Sequence, residues 1–259
     1  MGNYYYLASS LPPLDFPSKP EISFASLRES LDLNLSKKDL AKVAALRLFV
    51  DICNIRPLLQ EEEIDPRGNL AEKELEDAIL SESFLPEYVF DFLQEHETLL
   101  EKIKAFPELL SRFFQEEASE QTGFLKDFFE FERQWRLIVL ALRAKKLGKD
   151  LVKELQFEDL HDPFVMQILA QKDAEQYEPP LEYQELKDLL QACGPDPLEQ
   201  NKVLCFYRFS KIQEMVRPKQ FSIEWILAYL AQLMIVEYWN ELDEAKGRGI
   251  LDTFKMSER

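Results

Sequence analysis

The stretch KKDLAKVAALRLFVDICNI, residues 37–55, decides the fold class. It holds no glycine or proline, and from residue 43 to residue 55 it is apolar nearly all round. That pattern predicts a helix starting near Ser36 and buried on most of its sides. Pro57 is expected to kink or end it, because proline removes a backbone donor and clashes with the preceding turn. Asp51 and Asn54 interrupt the apolar run, where an unpaired hydrogen-bonding group costs about 1 to 3 kcal/mol. Contacts to a helix terminus, or to an arginine such as Arg47 or Arg56, account for them better than catalysis does.

The helical pattern continues outward from this segment. Only 7 glycines among 259 residues leave little material for hairpins or phosphate loops. Asn69 with Glu72, and Thr98 with Glu101, read as N-caps with their acidic partners. In TGFLKDFFEFERQWRLIVLALRAKKLG, residues 122–148, one stripe carries Phe124, Phe128, Trp135, Ile138, Val139 and Leu142. Arg143, Lys145 and Lys146 suit a helix C-terminus, and Gly148 can supply its left-handed cap. A last amphipathic helix follows Ser222, with Ile223, Ile226, Leu227, Leu230, Leu233 and Met234 at helical spacing. The segments around Pro179–Pro180 and around Gly194 to Pro197 are the expected linkers. An all-α chain of long amphipathic helices results.

A weak internal repeat runs through it. Asp51-x-x-Asn54, Glu132-x-x-Trp135 and Glu237-x-x-Asn240 each lie in an aromatic-rich helix. Each helix ends in a charged segment with a glycine: Gly68, Gly148, and Gly247 or Gly249.

Composition restricts the function. With 31 basic and 48 acidic residues the net charge is −17, which repels nucleic-acid backbones and anionic lipid surfaces and favours basic protein partners. Cys53, Cys193 and Cys205 are odd in number and lack CxxC spacing, which reads as reduced thiols in a cytoplasmic protein. No basic-then-apolar leader opens the chain, and no apolar run of about 18 residues predicts a membrane span.

Motifs for chemistry are sparse. Clustered glycines for phosphate binding are missing, and GRG at residues 247–249 reads as a helix end. Glu158-x-x-His161 is half of a di-iron motif, without the second half, so Glu158, His161 and His96 read as surface or capping residues. The segment EEEIDPRGN, residues 61–69, lacks the acids of a calcium loop and reads as a solvated acidic loop. No catalytic, cofactor-binding or metal-binding residue is assigned.

The acid-bearing helices resemble a known family. ILAYLAQLMIVEYWNELDEAKGRGI, residues 226–250, resembles the last helix of the central-stalk subunit of V/A-type rotary ATPases, called C or d, with Tyr229, Glu237, Asn240 and Gly247 on matching positions. FERQWRLIVLALRAKKLGKDL resembles its middle segment through Leu142, Arg143 and Gly148, and FVDICNIRPLL its first through Asp51 and Asn54. The opening NYYYLASSLPPL resembles a bacterial family encoded beside V/A-type ATPase subunits. The resemblance implies a funnel-like, all-helical single subunit of three similar lobes, at residues 1–80, 81–178 and 179–259. It also implies a non-catalytic rotor subunit without cofactor, joining the central stalk to the proteolipid ring at the cytoplasmic face of the membrane, with no direct nucleotide binding. Tyr4, Tyr5 and Tyr6 are then expected to pack onto the first lobe. Two other functions fit the residues alone: an acidic helical adaptor with an unrelated partner, and a helical hydrolase or metal enzyme using Glu158 and His161.

Overall fold

Helix-forming residues and well-placed caps give this chain its secondary structure. The computed structural model describes residues 4–217 and 219–242, and among these every regular element is a helix. In chain order they are α1 (Tyr5–Ser10), α2 (Phe24–Asn34), α3 (Lys37–Leu59), α4 (Glu72–Ser81), α5 (Glu87–Glu95) and α6 (Leu99–Glu120). Then come α7 (Phe124–Lys146), α8 (Leu151–Glu154), α9 (Pro163–Leu169), a 3-10 turn at Leu181–Tyr183, α10 (Gln184–Ala192), α11 (Pro197–Val216) and α12 (Ile223–Glu241). Gly247, Gly249 and Ile250 lie outside the described residues.

Several starts are set by the first polar side chain. Ser36 accepts from Asp39 N, Ser222 accepts from Trp225 N, and Thr98 and Glu101 cap each other reciprocally. Asn69 is not a cap: α4 starts two residues later, with Glu74 accepting from the Ala71 N–H, because the Asn69 amide is engaged by α3. Gly148, at φ +64, closes α7 through Gly148 N to Lys145 O and Lys149 N to Ala144 O. Pro57 lies in the last turn of α3, which ends two residues later, and α6 runs through Pro107.

The chain divides into two compact units. One holds the described residues up to Leu35 together with those from Glu185 onward; the other is Ser36–Gln184. The expected boundary at 178/179 falls in the extended approach to Pro180, six residues before the crossing, while that at 80/81 falls in the last turn of α4. Both α10 and α11 belong to the first unit, so Gly194 to Pro197 is a turn within it.

In the second unit α6 packs against α3, α5 and α7, with α4 on α3 and with α8 and α9 on α7. Phe49, Phe113, Phe114 and Phe129 meet at ring-centroid distances of 5.1 to 6.2 Å, and the Arg136 guanidinium lies 4.9 Å over Phe49. In the first unit α11 and α12 form a hairpin, and α2 packs on α12. All eleven residues from 226 to 236 are buried, so α12 is covered on every side and is not the amphipathic helix its spacing predicts. Gln232, the polar member of that run, donates to Phe209 O at 3.0 Å.

The opening tyrosines belong with the end of the chain. Tyr4 N donates to Phe221 O at 3.0 Å, Tyr5 packs on Phe221 at 4.8 Å, and Tyr6 is exposed. Their anchor is thus Phe221, just before α12, which lies outside the expected first lobe of residues 1–80.

Candidate functional site

The polar residues that the apolar helices enclose form the most developed constellation in the molecule. Asp51 is 1% exposed on α3. Its Oδ1 accepts from Leu70 N at 3.1 Å and its Oδ2 from Asn69 Nδ2 at 2.8 Å, and Asn69 also donates to Ala44 O at 3.0 Å. One turn on, Asn54 pairs twice with the Asp65 backbone, donating to its carbonyl at 2.8 Å and accepting its N–H at 2.9 Å. Arg47, one turn before Asp51, donates to the carbonyls of Arg67 and Gly68. The buried Arg67 turns back to Asp65, with Nε 2.7 Å from Oδ1. One face of α3 therefore clamps residues 65–70, the approach to α4.

Gly68 makes that approach possible. A Cβ there would stand closer than 3.0 Å to Asp51 Oδ1, so only glycine lets the loop lie against the carboxylate. Burial holds the Asp51 carboxyl above the ordinary carboxylate range, opposed by the bonds from Leu70 and Asn69 and by the Arg47 charge. Only Glu61, Glu62 and Glu63 make the acidic half of the loop solvated; Arg67 and Gly68 are buried.

The matching residues of α12 hold the N-terminal segment in the same manner. Glu237 Oε1 accepts from Phe24 N, at the start of α2, at 2.6 Å. Asn240 donates to Val236 O at 2.8 Å and, more weakly, to Pro17 O at 3.4 Å. Tyr229 donates to Pro12 O at 2.7 Å and stacks on Trp225; burial, with Glu21 adding to it, pushes its hydroxyl up to about 12. In the middle segment Glu132 is 0% exposed and accepts from Trp135 Nε1 at 3.0 Å. Leu142 is half-buried and Arg143 exposed, and neither joins a polar cluster. Nearby, Lys145 donates to the Lys172 and Ala174 carbonyls.

Glu158 and His161 do not form a centre. Glu158 is taken by Arg133, which also reaches Asp162, while His161 is exposed. Among the described residues the group with metal-ligand spacing is instead Glu95, His96 and Glu108. Arg112 bridges both of its carboxylates and His96 Nε2 lies 3.2 Å from Glu108, so a cation in that place would have to displace a guanidinium. The sequence signal for this group was the Glu95–His96 pair, but its partners come from the next helix.

A family model described as "Protein of unknown function (DUF2764)" matches residues 1–258. A Chlamydia trachomatis relative is 30% identical over 265 residues, covering all of both chains. Relatives from Chlamydia muridarum and Chlamydia pneumoniae are each 30% identical over 258 residues, covering 97% of each chain; all three are described as uncharacterized proteins. No solved structure matches. With a match over essentially its whole length, the chain belongs to the DUF2764 family.

Proposed function

We propose that this protein is a non-catalytic coupling subunit of a V/A-type rotary ATPase, taking the place of the C/d subunit between central stalk and proteolipid ring. One observation carries the reading. The two acid-x-x-Asn pairs that bear the resemblance do similar work, each within its own unit: Asp51 takes the Leu70 N–H two residues before α4, and Glu237 takes the Phe24 N–H at the first residue of α2. Asn54 and Asn240, three residues later, each take a backbone carbonyl of the stretch leading into that helix, Asp65 O and Pro17 O. A shared local device is what a subunit assembled from similar lobes would retain.

The role fits the chemistry. A rotor part must transmit force without local yielding, and these bonds tie connecting segments to long buried helices. The net charge of −17 complements basic stalk or ring-loop surfaces. No helix among the described residues is long and apolar enough to cross a membrane, so membrane attachment on this reading comes through the complex, at the cytoplasmic face. The test is to tag the full chain in its own cell and purify the rotary ATPase from membranes. Stoichiometric recovery with central-stalk subunits and the proteolipid ring is expected. Its absence from an intact complex that contains every other subunit would overturn the proposal.

A further inference from the structure

The place where α6 ends gathers three features that the clamp leaves unexplained. The last residues of α6 include Glu116, Glu117 and Glu120 with no basic residue in the last turn, at the helix end where the macrodipole is already negative. The pairs Glu116–Glu120 and Glu117–Glu120 have the spacing at which like charges repel along a helix, and none of the three makes an ion pair among the described residues. Burial, then Glu120 and Glu116, hold the Glu117 carboxyl above its ordinary range. Tyr88 on α5 is 3% exposed, and its hydroxyl has no partner among the described residues. The α5–α6 register set by Glu95–Arg112 and His96–Glu108 brings Tyr88 opposite the turn that carries Glu116 and Glu117, and after burial theirs are the charges that act on its hydroxyl.

The third feature is apolar. Leu80 at the end of α4 is 83% exposed, and Phe84 in the α4–α5 turn is 86% exposed. Glu82 and Phe84 have φ of 48° and 62°, in the left-handed region that side chains other than glycine seldom occupy. Ser83 N to Ala78 O and the burial of Leu85 hold the turn in that form. In the antiparallel pair α5–α6, Glu95 meets Arg112 and His96 meets Glu108, so Tyr88, eight residues before His96, falls beside the turn of Glu116 and Glu117. Phe84, in the turn that leads into α5 four residues before Tyr88, is therefore toward the end of the pair where Glu120 lies.

We propose that this surface docks a basic amphipathic segment of a partner protein, its Lys or Arg side chains on Glu116, Glu117 and Glu120 and its apolar side on Leu80 and Phe84. Charge complementarity selects the occupant. A lone metal ion is disfavoured because the three carboxylates do not converge to ligand spacing, in contrast to Glu95, His96 and Glu108. Anionic lipid, nucleic acid or a second copy of the same acidic surface would be repelled. A basic segment gives the carboxylates their counter-charges and covers the exposed Leu80 and Phe84 side chains, the pattern of an amphipathic helix on a complementary surface.

The experiment is calorimetric titration of the full chain with a synthetic amphipathic Lys/Leu helical peptide, and with its Glu/Leu counterpart as a control. The triple variant E116Q/E117Q/E120Q is expected to weaken Lys/Leu binding about tenfold or more, and Phe84→Asn, which suits a left-handed backbone, to weaken it too. The variant E61Q/E62Q/E63Q changes net charge equally at an exposed site of the same unit and is expected to bind like wild type. Equal losses in both triple variants would reduce the effect to net charge and overturn the proposal, as would unchanged binding by Phe84→Asn. Self-association in sedimentation that Phe84→Asn abolishes would make the surface a contact between copies, and would overturn it as well. The outcome is independent of the rotary-ATPase reading, because the peptide comes from no ATPase subunit.

Discussion

Replacing Gly68 by alanine tests whether the Asp51 clamp is a real mechanical constraint. The new methyl would fall within 3.0 Å of Asp51 Oδ1, which is fixed by Leu70 N, while Oδ2 is fixed by Asn69. Gly68 does not have a left-handed φ, so alanine meets no backbone strain there and restricts the unfolded chain, a gain of about 0.4 to 1 kcal/mol. Moving the carboxylate breaks at least one charged hydrogen bond of about 1.5 to 3 kcal/mol, leaving a net loss of about 1 to 2 kcal/mol. Asp51→Ala removes both acceptors and is expected to cost about 2 to 4 kcal/mol. The decisive measurement is the double variant. Without the carboxylate the methyl enters vacated space and only the unfolded-chain gain remains, so Gly68→Ala should then stabilise by about 0.4 to 1 kcal/mol, giving a coupling of about 1.5 to 3 kcal/mol in a double-mutant cycle. Urea unfolding followed by far-ultraviolet circular dichroism supplies all four stabilities. Additivity within about 0.5 kcal/mol would show that Gly68 and Asp51 do not constrain each other and would refute the reasoning.

Glu237→Ala should destabilise the protein by about 1.5 to 3 kcal/mol and speed hydrogen exchange at the Phe24 amide while leaving Leu70 unchanged; equal protection at Phe24 would argue against the anchor. Tyr177 is buried, its hydroxyl has no partner among the described residues and is pushed up to about 12 by burial, so Tyr177→Phe should be neutral or stabilising by about 1 kcal/mol; a clear loss in thermal unfolding would reveal a bond to that oxygen. Burial raises the Asp51 carboxyl, so the folded state keeps its proton over an interval where the unfolded chain has lost it. The contribution is therefore fully present below the ordinary Asp value and lost as pH rises through the raised one, and wild-type stability relative to Asp51→Asn should fall across that interval; a rise there would contradict the assignment. Glu117 is raised by burial and its acidic neighbours, so Glu117→Gln should stabilise the folded state at neutral pH and lose that advantage under acid; an advantage that persists in acid would mean charge is not its source.

What was legible in the sequence is what local physics determines. The helices α3, α7 and α12 follow from periodicity, and Thr98, Gly148 and Ser222 mark ends of α6, α7 and α12 because a cap needs only its neighbours along the chain. Asn69 has the residue type and spacing of a cap, yet Asp51, 18 positions away, competes for its amide and wins. The burial of residues 226–236 of α12 on all sides was hidden for a similar reason: spacing shows which side is apolar, whereas coverage of the other side depends on α2, α11 and the N-terminal segment. Asp51 and Asn54 stood out as polar groups in an apolar run, but the loop that answers them read as solvent-facing because its acidic half does face solvent. The crossing at Leu35/Ser36 carries no proline or glycine, so composition gave no sign of it.

The two acid-x-x-Asn clamps also say something about chain order. Asp51 reaches forward 19 residues to Leu70, whereas Glu237 reaches back 213 residues to Phe24. The bond is local in space in both cases and indifferent to direction along the chain. A connection grown by tight turns would keep one direction, because neighbouring elements in sequence are the ones that first meet. The reversed order in the first unit instead has the opening segment completing the last acid-bearing helix, through Tyr229 to Pro12, Asn240 to Pro17 and Glu237 to Phe24. Tyr229, Glu237 and Asn240 thus hold the opening segment by the same kind of bond that Asp51 and Asn54 make to the loop before α4, with the chain running the opposite way. Glu132 and Trp135 do not form the same clamp: the residue in the Asn position turns its indole N–H onto the acid itself. Trp135→Asn therefore restores the donor and acceptor pair of the other two helices, while leaving Glu132, at 0% exposure, short of one indole bond and the core short of a large ring. The lost packing outweighs the restored amide, by about 3 kcal/mol on the scale of large-to-small core substitutions, so melting should shift sharply downward; an unchanged melting temperature would mean that the amide finds the same kind of backbone partner here that Asn54 and Asn240 find.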